Sequence, residues 1–226
     1  MAKTTPFKLS LSDLVFLREE CHRCFYKKVV WNQRRPNTSF PKLFNRLDQL
    51  EKNYYCGMDT CQVSDSLPPG IFQYSEHWVE SKKFRVPGHD TPFFIRGKFD
   101  VAAAFDDGTF GVIDFKTTSP ADKNIRLYSR QLHAYALALE HPAPGKLGLT
   151  PISLIGILAV DSDEMVSIPG GSGFRLETSY INLPRDNEAF KQFLVETLDL
   201  LEAPVPPPPN PDCAFCRSWA PGTERT

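Results

Sequence analysis

Residues 94–118 read FIRGKFDVAAAFDDGTFGVIDFKTT, and the pairing register of this one stretch decides how the chain folds. Apolar and polar residues alternate on either side of Asp106-Asp107-Gly108, the pattern of two antiparallel strands joined by a tight turn. A two-residue turn at Asp107-Gly108 would set Phe115 opposite Asp100 and send Asp114 through the other side of the sheet. A three-residue turn over Asp106-Asp107-Gly108, with Gly108 in the left-handed bulge position, shifts the register by one. Asp100 then stands opposite Asp114 with Cβ atoms about 4.5–5.5 Å apart, and Lys116 shares their face. Phe99, Val101, Ile113 and Phe115 fall on the other face and are expected to be buried there.

Two facing carboxylates repel unless a cation neutralises them or one keeps its proton. Mg²⁺ suits such a gap, because it takes oxygen ligands and usually retains waters, one of which can act as a nucleophile. Lys116 beside the ion would orient that water and offset charge building on a phosphoryl group. The plainer alternative is an edge hairpin whose solvent face carries ordinary charges.

Working outward, SKKFRV before the hairpin reads as a short strand, and a helix is expected from about Ile125 to Glu140. The apolar run ISLIGILAV suits a buried central strand, FRLETSYINL gives one more, and Phe190, Phe193, Leu194, Thr197, Leu198 and Leu201 share one face of a final helix. The order α-β-β-β-α-β, with a further strand and helix, predicts an α/β fold: a mixed sheet flanked by helices. Upstream, Ser10 or Ser12 is a candidate N-cap for a helix through Leu14, Leu17 and Cys21, and Phe44, Leu47 and Leu50 hint at another. With 226 residues, one domain is expected: a helical or irregular cap over 1–72, a core over 76–203, and a proline-rich spacer with a tail over 204–226.

The composition, 41% hydrophobic and 23% charged, is that of a globular chain. No apolar run reaches membrane length and the opening MAKTTPFKLS lacks a signal-peptide core, so a cytoplasmic protein is expected. The net charge of −1 conceals an asymmetry: residues 1–50 carry ten Lys or Arg against four Asp or Glu, leaving 16 against 23 elsewhere. A basic arm is compatible with a polyanion, although most charge runs are solvated faces.

Cys21 and Cys24, and Cys213 and Cys216, form two C-x-x-C pairs at opposite ends of the chain. In a reducing compartment such pairs read first as metal ligands. The run APVPPPPNP would travel as an extended spacer of about 25 Å, enough to return the second pair to the first. Four thiolates could then hold a 4Fe–4S cluster or, alternatively, a structural Zn²⁺. Cys56 and Cys61 are expected to be free thiols.

Gly97-Lys98-Phe99-Asp100, Asp114-Phe115-Lys116 and Gln131-Leu132-His133-Ala134-Tyr135 resemble the G-x-x-D, D-x-K and Q-x-x-x-Y motifs of the PD-(D/E)XK nuclease superfamily in its RecB-like branch. The terminal cysteines extend the likeness, more loosely, to CRISPR-associated RecB-like exonucleases and the AddB nuclease domain. The resemblance implies a restriction-endonuclease-like core with helices on both faces and an N-terminal cap joined to the cysteine tail. It implies an exo- or endo-deoxyribonuclease acting with Mg²⁺ or Mn²⁺ on single-stranded or end-exposed DNA, in CRISPR adaptation or recombinational repair, with any helicase supplied by a partner. Asp100, Asp114 and the Phe115 carbonyl would bind the ion, with His77 ahead of Glu76 and Glu80 as the added ligand. Lys116 would be the catalytic lysine, and Gln131 and Tyr135 would grip the strand. The cluster-bearing relatives have one cysteine near the N-terminus and three near the C-terminus, whereas this chain has two and two. A catalytically silent DNA-binding scaffold of the same fold and a metal-stapled interaction module are the competing readings.

Overall fold

The computed structural model describes residues 5–36, 42–117 and 124–218. Its centre is the expected hairpin. Strands β5 (Val101–Phe105) and β6 (Phe110–Thr117) pair antiparallel with Val101 opposite Ile113 and Ala104 opposite Phe110. One further step in that register sets Asp100 opposite Asp114. The turn is the three-residue form: Phe105 N–H donates to the Thr109 carbonyl at 2.9 Å, and Gly108 sits at φ +82°, where a Cβ would be strained.

β2 (Gly70–Ser75) covers the outer edge of β5. On the other side β6 runs parallel to β7 (Ile152–Ile168), which pairs antiparallel with β8 (Gly171–Leu183). The mixed five-stranded order is β2-β5-β6-β7-β8. Residues 155–160 of β7 are buried as an interior strand should be, but beyond them β7 and β8 continue as a ribbon exposing Met165, Ile168, Phe174 and Leu176. A second sheet has β1 (Phe7–Ser10) parallel to β4 (Phe93–Lys98), with β3 (Trp78–Glu80) antiparallel on its far side.

The chain therefore leaves one sheet at Lys98 and enters the other at Val101, where a single long strand was expected. The break corrects the position of Phe99. Val101, Ile113 and Phe115 do share one face, but Phe99 packs on the other, its ring edge-on to Tyr135 at 6.2 Å. Strand alternation does not carry across a junction between sheets.

At the N-terminus the expected helix follows Ser10 and runs to Cys21, but it is preceded by the unexpected strand β1 and followed by a second helix. Leu9 and Leu11 are buried, and Ser10 caps the turn that follows: its Oγ accepts the Asp13 N–H at 3.4 Å and donates to the Asp13 carboxylate. A π-turn (Asp13–Leu17) runs into α1 (Arg18–Glu20), which stops at Cys21. Cys21 is extended at φ −161° and starts α2 (His22–Trp31), its Sγ accepting from Cys24 N–H. Cys21 thus closes one helix, its N–H donating to the Leu17 carbonyl at 2.9 Å, and opens the next. Downstream lie α3 (Lys42–Tyr55) and the single turn α4 (Thr60–Val63).

Helices cover both faces of the large sheet. On one face α5 (Ile125–Glu140) and α6 (Asn187–Glu202) bury Leu132, Ala136, Leu139, Phe193, Leu198 and Leu201, each large apolar side chain stabilising the fold by about 1.5–3 kcal/mol. On the other, Tyr55 of α3 stacks on Phe115 with ring centroids 5.4 Å apart. After α6 the proline-rich segment returns along α2: Tyr26 Oη donates to the Ala203 carbonyl at 3.0 Å, and Arg23 Nη1 to that of Pro207 at 2.7 Å. Asn210 Nδ2 then donates to the Glu20 carbonyl at 3.0 Å, which brings α7 (Ala214–Ser218) to the start of α2.

Candidate active site and cysteine centre

Asp100 and Asp114 meet where β5 and β6 leave the hairpin register. The two face each other one step beyond the paired Val101 and Ile113, Asp100 Oδ2 accepts the Phe115 N–H at 2.9 Å, and the Lys116 ammonium abuts Asp114 Oδ2. Burial and the neighbouring Asp100 push Asp114 up to about 7 against the pull of Lys116. Burial also opposes ionisation of Asp100, yet the Asp114 hydroxyl and nearby lysines hold it below the usual range. A buried carboxyl held high beside an ionised one is an oxygen-donor pair that a divalent cation would complete. The Lys116 ammonium lies 5.2 Å above the ring of Tyr128, a buried α5 residue.

Sequence reasoning missed the residue that closes the site. Lys52, on α3, is 7% exposed and points its ammonium at three carboxylates: Asp48 Oδ2 at 2.8 Å, Glu76 Oε1 at 2.9 Å and Asp100 Oδ1 at 2.9 Å. Burial would lower its pKa, but the charge of Asp100 together with the hydrogen bonds to Asp48, Asp100 and Glu76 raises it and keeps it an ammonium. Glu76 is a non-glycine residue at φ +58°, a conformation that costs energy and clusters at functional sites. That backbone lets Glu76 N–H reach the Asp100 carbonyl at 2.9 Å while its side chain meets Lys52 and Lys98. The signal in the sequence is the i, i+4, i+7 stripe Asp48, Lys52, Tyr55, which turns a polar helix face inward.

Of the residues expected to join the carboxylates, three do not. His77 is exposed; its Nδ1 faces the Ser75 carbonyl at 2.8 Å and its ring stacks on Phe99. Glu80 pairs with Arg96 at 3.5 Å, in the small sheet. Tyr135 is 4% exposed and donates its hydroxyl to the Lys98 carbonyl, so it braces the β4–β5 junction from inside instead of offering a phenol to a strand. Gln131 lies beside it, 6% exposed, with an Oε1 that finds no donor among the described residues.

The cysteines come together as expected. Cys21 and Cys216 Sγ are 3.5 Å apart, Cys24 lies 3.8 Å from both Cys213 and Cys216, and all four sulfurs fall within 4.8 Å of one another. Among the described residues this is the one set of three or more His, Cys, Asp or Glu side chains placed to hold a metal ion together. Arg35 donates to Cys213 Sγ at 3.2 Å and pairs with Glu20 at 2.7 Å, so this basic residue faces inward. Cys56 and Cys61 are exposed thiols outside the cage.

The family model of the PD-(D/E)XK nuclease superfamily matches residues 30–220, which takes in the hairpin, α5 and the second cysteine pair. The chain belongs to the PD-(D/E)XK nuclease superfamily. A solved structure described as "Crystal structure of SSO0001" is similar in fold, with a TM-score of 0.52, 15% identity, and coverage of 89% of this chain and 80% of that one. No curated protein matches. Membership in this superfamily indicates a metal-dependent nuclease fold, and its mixed α/β core is the architecture described above. No described helix is long and apolar enough to cross a membrane.

Proposed function

We propose that this PD-(D/E)XK protein hydrolyses phosphodiester bonds in DNA with Mg²⁺ or Mn²⁺. The observation that carries the reading is that Asp100, Asp114 and Lys116 gather at one point of the sheet, Asp114 buried and the other two partly so. The donor set fits a hard divalent ion: two facing carboxyls, Asp114 held high by burial and Asp100 held low, with the backbone of Phe115 alongside. Asp100, Asp114 and the Phe115 carbonyl would hold it. When bound, such an ion supplies a water acidic enough to attack at neutral pH and a positive charge on the phosphoryl oxygen.

The side chains supply the rest. Lys116 holds positive charge beside Asp114, where it orients the attacking water and offsets negative charge on the phosphoryl group. Lys52 anchors Asp100 Oδ1, and Phe115 N–H anchors Oδ2, so this carboxylate is fixed at both oxygens before substrate arrives. Tyr135 and Gln131 act behind the site, holding the Lys98–Val101 junction that aims Asp100 inward.

Single-stranded or end-exposed DNA is the proposed substrate, with CRISPR adaptation or recombinational repair as its setting. This is supported by the order G-x-x-D, D-x-K, Q-x-x-x-Y, which resembles the RecB-like branch, and by the basic N-terminal fifty residues, where Arg34 is exposed. The test is cleavage of single-stranded and duplex DNA with Mg²⁺ or Mn²⁺ by the wild type and by Asp114→Asn and Lys116→Ala. Both variants should fold normally by circular dichroism and lose cleavage by a factor of about 10² or more. Wild-type rates in either variant would remove these residues from the chemistry.

A further inference from the structure

The cysteine centre is independent of the carboxylate site, and its dimensions discriminate between the metals that four thiolates can hold. We infer that it takes one tetrahedral zinc ion and not the 4Fe–4S cluster to which the terminal cysteine pairs point. Zinc bonds to thiolate at about 2.3 Å, and four such bonds at tetrahedral angles place the sulfurs about 3.8 Å apart. The contacts here are 3.5, 3.8 and 3.8 Å, and none of the six exceeds 4.8 Å. In a cubane each thiolate binds a different iron, so the sulfurs must stand further apart by the width of the iron core itself. The cage does not fit it.

Nor can the cage readily widen. Cys21, Cys24 and Cys213 are each 2% exposed. Each C-x-x-C pair is a closed local turn: Cys24 N–H points to Cys21 Sγ, and Cys216 N–H donates to the Cys213 carbonyl at 3.1 Å. The two turns are fastened to one another by Asn210 on the Glu20 carbonyl and Arg23 on the Pro207 carbonyl. Two pairs of C-x-x-C in a closed, fully thiolate shell are also the ligand pattern of structural zinc. Arg35, fixed between Glu20 and Cys213, offsets part of the net negative charge that a zinc tetrathiolate carries.

The function that follows is a redox-inert clasp. It ties residues 21–24 to residues 213–216, so ion binding contributes directly to folding free energy. This inference does not rest on the nuclease reading, and its test involves no DNA. Full-length protein is purified anaerobically without chelator and analysed for zinc, iron and acid-labile sulfide, with its visible spectrum recorded. The expected result is a colourless protein with about one zinc per chain, which on exchange with Co²⁺ develops the intense visible absorption of a tetrahedral tetrathiolate. Cys24→Ser should lose the ion and lower the melting temperature. Should it fail to fold, Cys216→Ser, at the half-buried rim, should bind zinc at least tenfold more weakly in a chelator competition. A brown protein with about four irons and sulfide overturns the proposal. So does wild-type protein free of both metals, or unchanged zinc affinity in the serine variants.

Discussion

Lys52 Nζ lies 2.9 Å from Asp100 Oδ1, although Lys52 sits on α3 and Asp100 at the junction between β4 and β5. The same ammonium touches Asp48 and Glu76, so one lysine balances three carboxylates. Removing one member of a buried ion pair strands the others and costs about 3 kcal/mol or more. Lys52→Met should therefore lose about 3 kcal/mol in urea unfolding without divalent ions, and added Mg²⁺ should restore more stability to the variant than to the wild type. Equal Mg²⁺ effects in the two proteins would show that the ammonium does not balance this site.

The glycine of the G-x-x-D motif has a packing reason. A Cβ on Gly97 would come within 1.8 Å of Leu11 Cδ1 and 3.5 Å of the Tyr135 ring. Leu11 is 2% exposed and has little room to retreat. Gly97→Ala should cost about 1–3 kcal/mol by overpacking, read as a drop in the urea midpoint at unchanged m-value. The double variant with Leu11→Ala should recover part of that loss, and a loss that ignores Leu11 would place the strain elsewhere.

Tyr135→Phe separates bracing from substrate contact. The variant keeps the edge-on packing with Phe99 and loses the hydrogen bond to the Lys98 carbonyl, a net cost of about 1 kcal/mol. Stability should fall by about that much while cleavage falls less than tenfold. A large loss of kcat with unchanged stability would return the phenol to the substrate.

What the sequence revealed of this site follows from which interactions are local. The Asp100–Asp114 register was legible because Gly108 in a three-residue turn and the alternation Ile113-Asp114-Phe115-Lys116 leave one pairing that sets the carboxylates face to face and sends Ile113 and Phe115 to the other side. α5 and α6 were legible from their apolar stripes. The role of α3 was hidden because its apolar residues mislead: Leu43, Phe44 and Leu50 are exposed, while Glu51, Lys52 and Tyr55 are buried. A helix face is turned inward here by ion pairs 24 and 48 residues away in the chain, and periodicity does not report those. β1 is four residues long, too short for its alternation to stand out ahead of the Ser10 cap that follows it.

The fold should also lose stability in mild acid through His133. Its Nδ1 faces the Ser129 carbonyl at 2.7 Å and its Nε2 accepts the Asp186 N–H at 2.8 Å, an arrangement open to the neutral imidazole alone. Burial lowers its pKa, and the Arg185 charge on one side lowers it further against the opposing pull of Asp186. With the folded value below the ordinary 6.5, the stability that His133 contributes is complete above pH about 6.5. It is lost as pH falls toward the depressed value, because the unfolded chain takes up the proton and the native one does not. The slope approaches about 1.4 kcal/mol per pH unit for this one proton. His22, also lowered by burial, adds to the same window. Asp114, pushed up to about 7, titrates in the same window with the opposite sign, so the His133 share is read as the difference between the wild type and His133→Gln in urea unfolding between pH 5.5 and 8. The wild type should gain stability relative to the variant as pH rises to about 6.5, and a difference that does not change with pH would mean that the proton is taken up elsewhere.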